Sequence, residues 1–237
     1  MEPSRDVLGA TFVAAAALLF GGVVVIGKVI GEELPVASLL AIRFGAAALV
    51  LGGILAAGRR SLRPAGGEWV RLLILGGIGY AVESALFFLA LERGTAATVT
   101  LLFFTYPVWV AVISGVLGRG LPGPLMTASL VAAMAGTATV VQTSGGLDIT
   151  WTGVAFAIGS AVTFSFYLIG AEVFLRQTSP LVSAMWVSLA AALSLGAVSA
   201  FSGAGRFPRG GDEWGPVLAM GLLTAGAFFL LFVGLRR

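Results

Sequence analysis

Two charges of opposite sign stand where charge is costly. Arg43 lies inside the apolar run PVASLLAIRFGAAALVLGGIL (35–55), and Glu83 inside RLLILGGIGYAVESALFFLAL (71–91). A charged side chain near a bilayer centre costs at least about 2.5–3.5 kcal/mol, so each is expected to face a protein interior and to seek a partner. The chemistry open to them is recognition and proton carriage: Arg43 holding a carboxylate, Glu83 titrating. Counted from the helix ends, both lie about eight residues below the same membrane face, roughly 12 Å deep at 1.5 Å per residue. The spacing therefore predicts that Arg43 and Glu83 stand close together, directly or through water. A purely structural pair gluing two helices fits the same rule, and both readings stay open.

Aromatic residues gather around the same depth. Tyr80 precedes Glu83 by about one turn. In the run TAATVTLLFFTYPVWVAVISGV (95–116), Pro107 interrupts a helix near mid-membrane, a disruption that cavity walls tolerate. Phe103, Tyr106 and Trp109 recur every three residues around it and share a face. They are candidates for lining an apolar cavity, although such stripes also simply meet lipid. Tyr167 and Trp186 are the counterpart candidates later in the chain. Lys28 is expected to snorkel to the headgroups and Glu172 to sit at an interface.

The residue inventory removes other chemistries. The 237 residues contain no Cys and no His, which excludes disulfides, thiol nucleophiles, zinc sites and His-based triads. Asp6, Asp148 and Asp212 fall in tails or loops, so no buried acid pair is expected and the chain does not read as an enzyme. No GxxxxGK[ST] phosphate loop occurs, and no cofactor or metal is expected.

The elements that must position these side chains follow from hydropathy. The chain is 58% hydrophobic and 11% charged, against about 25% charged in soluble domains. Eight apolar runs are long enough to cross a bilayer: about 7–30, 35–57, 69–91, 95–117, 122–142, 152–174, 180–201 and 214–235. Only helices and closed barrels satisfy every backbone group in hydrocarbon, and barrel-type alternation is absent, so an all-α, polytopic transmembrane bundle is expected. With the N-terminus inside, Arg5, Arg59, Arg60, Arg63, Arg119, Arg176, Arg236 and Arg237 fall inside, and Arg93, Arg206 and Arg209 outside. This bias predicts a multi-pass protein of the cell membrane with both termini cytoplasmic.

An internal repeat is faintly visible. Glu68-Trp69 opens the third run and Glu213-Trp214 the eighth, with Gly76 and Gly221 seven residues after each Trp. Pro35 and Pro180 precede the second and seventh, and FFLAL (87–91) resembles FLLFVGL (229–235). The unit is five spans, and an odd number turns the second copy upside down, a transporter signature. The expected domains are 1–146, a first repeat of five helices, and 147–237, a second repeat with three.

These same stretches carry a resemblance. PVASLLAIRFGAAALVLGGIL (35–55), ALFFLALERGTAATVTLLFFTYPVWVAVISGVLGRGLPG (85–123), MTASLVAAMAGTATVV (126–141) and WTGVAFAIGSAVTFSFYLIGAEVF (151–174) resemble the EamA-like transporters of the drug/metabolite transporter superfamily. The resemblance implies ten helices in two inverted halves around a central cavity. It also implies export or uptake of small metabolites such as amino acids, by alternating access. The family's Gly-Glu pair after the fourth span is here Gly118-Arg119, and the counterpart of the last two helices is missing, as in a truncated chain. The expected partners are a small-molecule substrate, protons and the lipid bilayer, with no nucleic acid. The alternative is a transport-inactive remnant or scaffold that completes itself as a homodimer.

Overall fold

The structure, a computed structural model, describes residues 5–31, 33–119, 123–143, 148–203 and 205–235. Through these run eight helices: α1 (Arg5–Ile30), α2 (Val36–Ala57), α3 (Trp69–Leu91), α4 (Ala96–Val116), α5 (Pro124–Thr143), α6 (Trp151–Phe174), α7 (Pro180–Phe201) and α8 (Gly211–Gly234). Among the described residues, α1–α4 and α6–α8 are long and apolar enough to cross a membrane. In α5 the apolar stretch among the residues whose side chains are described is Thr127–Gly136. The bundle is therefore all-α and polytopic. Its only β-type pairing among the described residues is an isolated bridge, Gly94 with Ile149. Asp212, expected in a loop, lies in the first turn of α8, where its charge complements the helix dipole.

Helix ends follow local chemistry. Pro35 precedes α2 and Pro180 opens α7, where a missing N–H costs nothing. Ser179 and Thr95 cap α7 and α4, accepting from the N–H of Val182 and Thr98. Two helices are irregular inside the membrane. α4 breaks at Phe104-Thr105 into Ala96–Phe103 and Tyr106–Val116, with Pro107 in the first turn of the second piece. The interruption expected at Pro107 is thus seated just ahead of it. In α3, Leu75–Tyr80 forms a π-helix between two α segments, a widening often found at functional positions.

The chain divides into two compact units: residues 1–81 with 171–237, and residues 82–170. In the first unit α2 packs along α7 and α1 along α8, α8 crosses α2, and the opening half of α3 lies on α7. Lipid offers no hydrophobic drive for this association, so close packing carries it, and small residues set how close the backbones come. A Cβ on Gly76 would stand 2.4 Å from the Val187 carbonyl oxygen, and one on Gly221 would stand 2.6 Å from Ala46 Cβ and 3.1 Å from the Arg43 carbonyl oxygen. The two glycines singled out by their spacing after Trp69 and Trp214 are therefore places where α3 closely approaches α7 and α8 closely approaches α2.

The second unit holds the rest of α3, α4, α5 and most of α6. The turn after α3 pairs with the segment before α6: Thr95 N–H donates to Asp148 O and Thr150 N–H to Arg93 O, each at 3.0 Å. This short ladder fixes the α3–α4 turn against the start of α6.

Candidate functional site

In the first unit the site is built on α2. Arg43 is 2% exposed, and its Nε donates to Thr224 Oγ1 of α8 at 2.9 Å. Its guanidinium carbon lies 4.4 Å from the centroid of the Phe44 ring, a cation–π contact. Phe44 in turn meets Tyr80 at 5.6 Å and Phe228 at 6.3 Å, and Tyr80 meets Phe228 at 4.6 Å. A buried cation is thus held by a hydroxyl of α8 and one ring face of α2, and that ring packs against rings of α3 and α8. The predicted residues Arg43 and Tyr80 share this cluster. The π-helix that ends at Tyr80 and the close seating of Gly76 and Gly77 on α7 place that ring there.

In the second unit Glu83 is 4% exposed and accepts from Ser160 Oγ of α6 at 3.2 Å. One turn further along each helix, Phe87 and Phe164 continue the same faces. Phe103 joins them, 5.1 Å from Phe87 and 5.2 Å from Phe164, and Tyr106 meets Phe164 at 5.0 Å. Phe164 also stacks on Tyr167. Ser165 Oγ donates to the Tyr106 carbonyl at 2.9 Å, so a hydroxyl of α6 engages backbone beside the break in α4.

Of the residues the sequence put forward, Arg43 with Tyr80 falls in the first unit, and Glu83 with Phe103 and Tyr106 in the second. Trp109 is half-buried and stands outside the ring cluster. Trp186 belongs elsewhere, because its Nε1 donates to the Leu62 carbonyl in the loop after α2. Glu172 is exposed and Lys28 half-buried. Thr224, Ser160, Phe44, Phe228 and Phe164 were not singled out from sequence. The signal for the two hydroxyls was a lone polar residue in an apolar run, which many Ser and Thr here share.

One further acid is engaged that the sequence offered only as a repeat marker. Glu68, 2% exposed, accepts from the N–H groups of Arg176 (3.0 Å), Gln177 (2.9 Å) and Thr178 (2.9 Å). Burial pushes its carboxyl up, but these bonds and one from the Thr178 side chain outweigh that and hold it below the usual glutamate value. Gly66 two residues earlier has φ +57°, and a Cβ there would meet the Gln177 side chain. Glycine adopts such a φ without steric cost.

A model of a family described as the EamA-like transporter family matches residues 7–142 and 151–237. No curated protein matches the sequence. Among solved structures, one titled only as the crystal structure of a protein is similar at TM-score 0.72 and 23% identity, covering 99% of this chain and 79% of the other. At that identity the likeness concerns the fold.

Proposed function

The chain belongs to the EamA-like transporter family, and on that premise we propose a secondary permease or exporter of small metabolites, such as amino acids or related compounds. It works by alternating access about a central cavity, with both termini cytoplasmic. The observation that carries this reading is Arg43. A guanidinium 2% exposed in a spanning helix, held by Thr224 and the Phe44 ring, is costly to keep unless it does something. Its chemistry is recognition of a carboxylate on the substrate. Glu83 carries the proton that couples flux, and Tyr80, Phe103, Tyr106 and Trp109 supply apolar contact. The order of residues 1–146 and 147–237 as two inverted copies fits the matching seats of Gly76 and Gly221.

The test is an efflux and growth-resistance screen over amino acids and related metabolites, followed by flux measurements on the transported compound. Arg43→Ala abolishes flux of the anionic substrate, while Glu83→Gln leaves flux that no longer changes with pH. Flux equally pH-dependent in Glu83→Gln rejects proton coupling through that residue. A rival reading, a dimeric scaffold, draws support from α4, where no residue of Tyr106–Val116 is buried. Crosslinked dimers with no flux of any compound would favour it.

A further inference from the structure

α2 and α7 are 22 residues each and pack along one another. At 1.5 Å per residue each spans about 33 Å, so this unit has two well-separated ends, with a pair of loops at each. At one end, the loop before α3 is fastened to the loop before α7. Glu68 takes the three N–H groups of residues 176–178, Ala65 N–H donates to Thr178 Oγ1 at 3.0 Å, and Trp186 reaches Leu62 O at 2.8 Å.

At the other end, the loop before α8 is fastened to the loop before α2. Arg206 donates through Nη1 and Nη2 to Glu213 at 2.9 and 3.1 Å, and through Nη2 to the Glu33 carbonyl. Arg209 N–H donates to Glu213 at 2.8 Å, and Arg206 N–H to Ser38 Oγ at 3.2 Å.

The two fastenings occupy corresponding places in the fold but differ in partners: Glu68 takes amides of a distant loop, whereas Glu213 takes Arg206 and Arg209 of its own loop, and Arg206 makes the link to α2. Glu68 follows Gly66-Gly67 and precedes Trp69, while Glu213 follows Gly210-Gly211-Asp212 and precedes Trp214. Exchanging α2 with α7 and α3 with α8 carries one into the place of the other. Each also borders a cavity. Arg206 and Ser38 line one of about 360 Å³, and Arg176 lines one of about 320 Å³ at the opposite end. They differ in electrostatics. Glu68 is buried among backbone donors, whereas the Arg206–Glu213 pair is partly exposed, at 29% and 13% of its side chains. Salt screens the second kind of contact far more than the first.

We propose that the Glu68 clamp and the Arg206–Glu213 clamp are the two end-locks of the transport cycle, released in alternation, and that the Arg206–Glu213 lock is the salt-sensitive one. This rests on the transporter reading, because alternating access requires each end to be held shut while the other opens. The α2–α7 contact lies between the two locks and serves as the pivot: parting the loops at one end presses together those at the other.

The absence of native Cys makes the test clean. Val36 and Leu181 sit in the first turns of α2 and α7, one at each end, and both are 8% exposed. Val36→Cys and Leu181→Cys are made separately, and labelling by a water-soluble maleimide is timed in lipid nanodiscs, where both faces meet solvent. Glu68→Gln is expected to speed labelling of Leu181→Cys several-fold and to slow Val36→Cys. Glu213→Gln is expected to do the reverse. Raising salt without any lock mutation is expected to speed Val36→Cys and slow Leu181→Cys, which keeps the proposal testable if a lock variant fails to fold. Rates that rise at both reporters together, or change at neither, overturn it. Labelling needs no substrate, so its failure is separable from failure of the flux screen.

Discussion

At the scale of single residues, the informative feature is how the buried cation is satisfied. Arg43 Nε–H has Thr224 Oγ1 as its acceptor, 2.9 Å away. Leaving a buried donor without its acceptor costs about 1–3 kcal/mol, and more when the group is charged. Thr224→Val keeps the shape and removes the acceptor, so it should lower the unfolding temperature of the detergent-solubilised protein, while Thr224→Ser should restore most of the loss. If Thr224→Val melted like the parent, the hydroxyl would not be what steadies the guanidinium. Arg43 and Glu83 were legible from sequence, because a charge within an apolar run stands out against its surroundings. Their partners Thr224 and Ser160 were not, because hydroxyls satisfy themselves in helices by bonding to carbonyls one turn back, as Thr163 does to Gly159. A hydroxyl in such a run therefore carries no sign of a side-chain partner.

At the scale of helices, contact between backbones decides. A Cβ at Gly76 would come within 2.4 Å of Val187 O, and one at Gly221 within 2.6 Å of Ala46 Cβ, whereas Gly45 and Gly53 of α2 have nothing within 4 Å. Gly76→Ala and Gly221→Ala should each force helices apart, at a cost of about 1–3 kcal/mol read by thermal unfolding. Gly45→Ala and Gly53→Ala should be neutral or slightly stabilising, since alanine is the better helix former. The spacing of Gly76 and Gly221 after their Trp residues was visible in the sequence, and so was the disruption near Pro107. The π-helix was not. Leu75–Tyr80 is apolar or glycine except for the Tyr hydroxyl, so hydrophobic periodicity holds no information about which carbonyl each N–H chooses.

At the scale of the whole molecule, hydropathy alone gave the polytopic class, because eight long apolar runs leave no soluble solution. The division into compact units was not legible. It cuts through α3 and α6, both of which read as uninterrupted runs, and it reflects packing between residues far apart in sequence. Orientation rests on Lys and Arg, and the absence of Cys makes it directly testable. With a membrane-impermeant thiol reagent on intact cells, Arg209→Cys should be labelled and Arg60→Cys protected until the membrane is permeabilised. The opposite pattern would invert the proposed topology.

The engagement of Glu68 with residues 176–178 also bears on how the chain is made. The two partners are separated by 108–110 positions. At translation rates of about 5–20 residues per second, the carboxylate emerges roughly 5–20 seconds before the amides that will receive it. Throughout that interval the α2–α3 hairpin is without the amides that Glu68 binds in the folded chain. The Glu68 clamp therefore forms only once the ribosome has delivered the segment leading into α7.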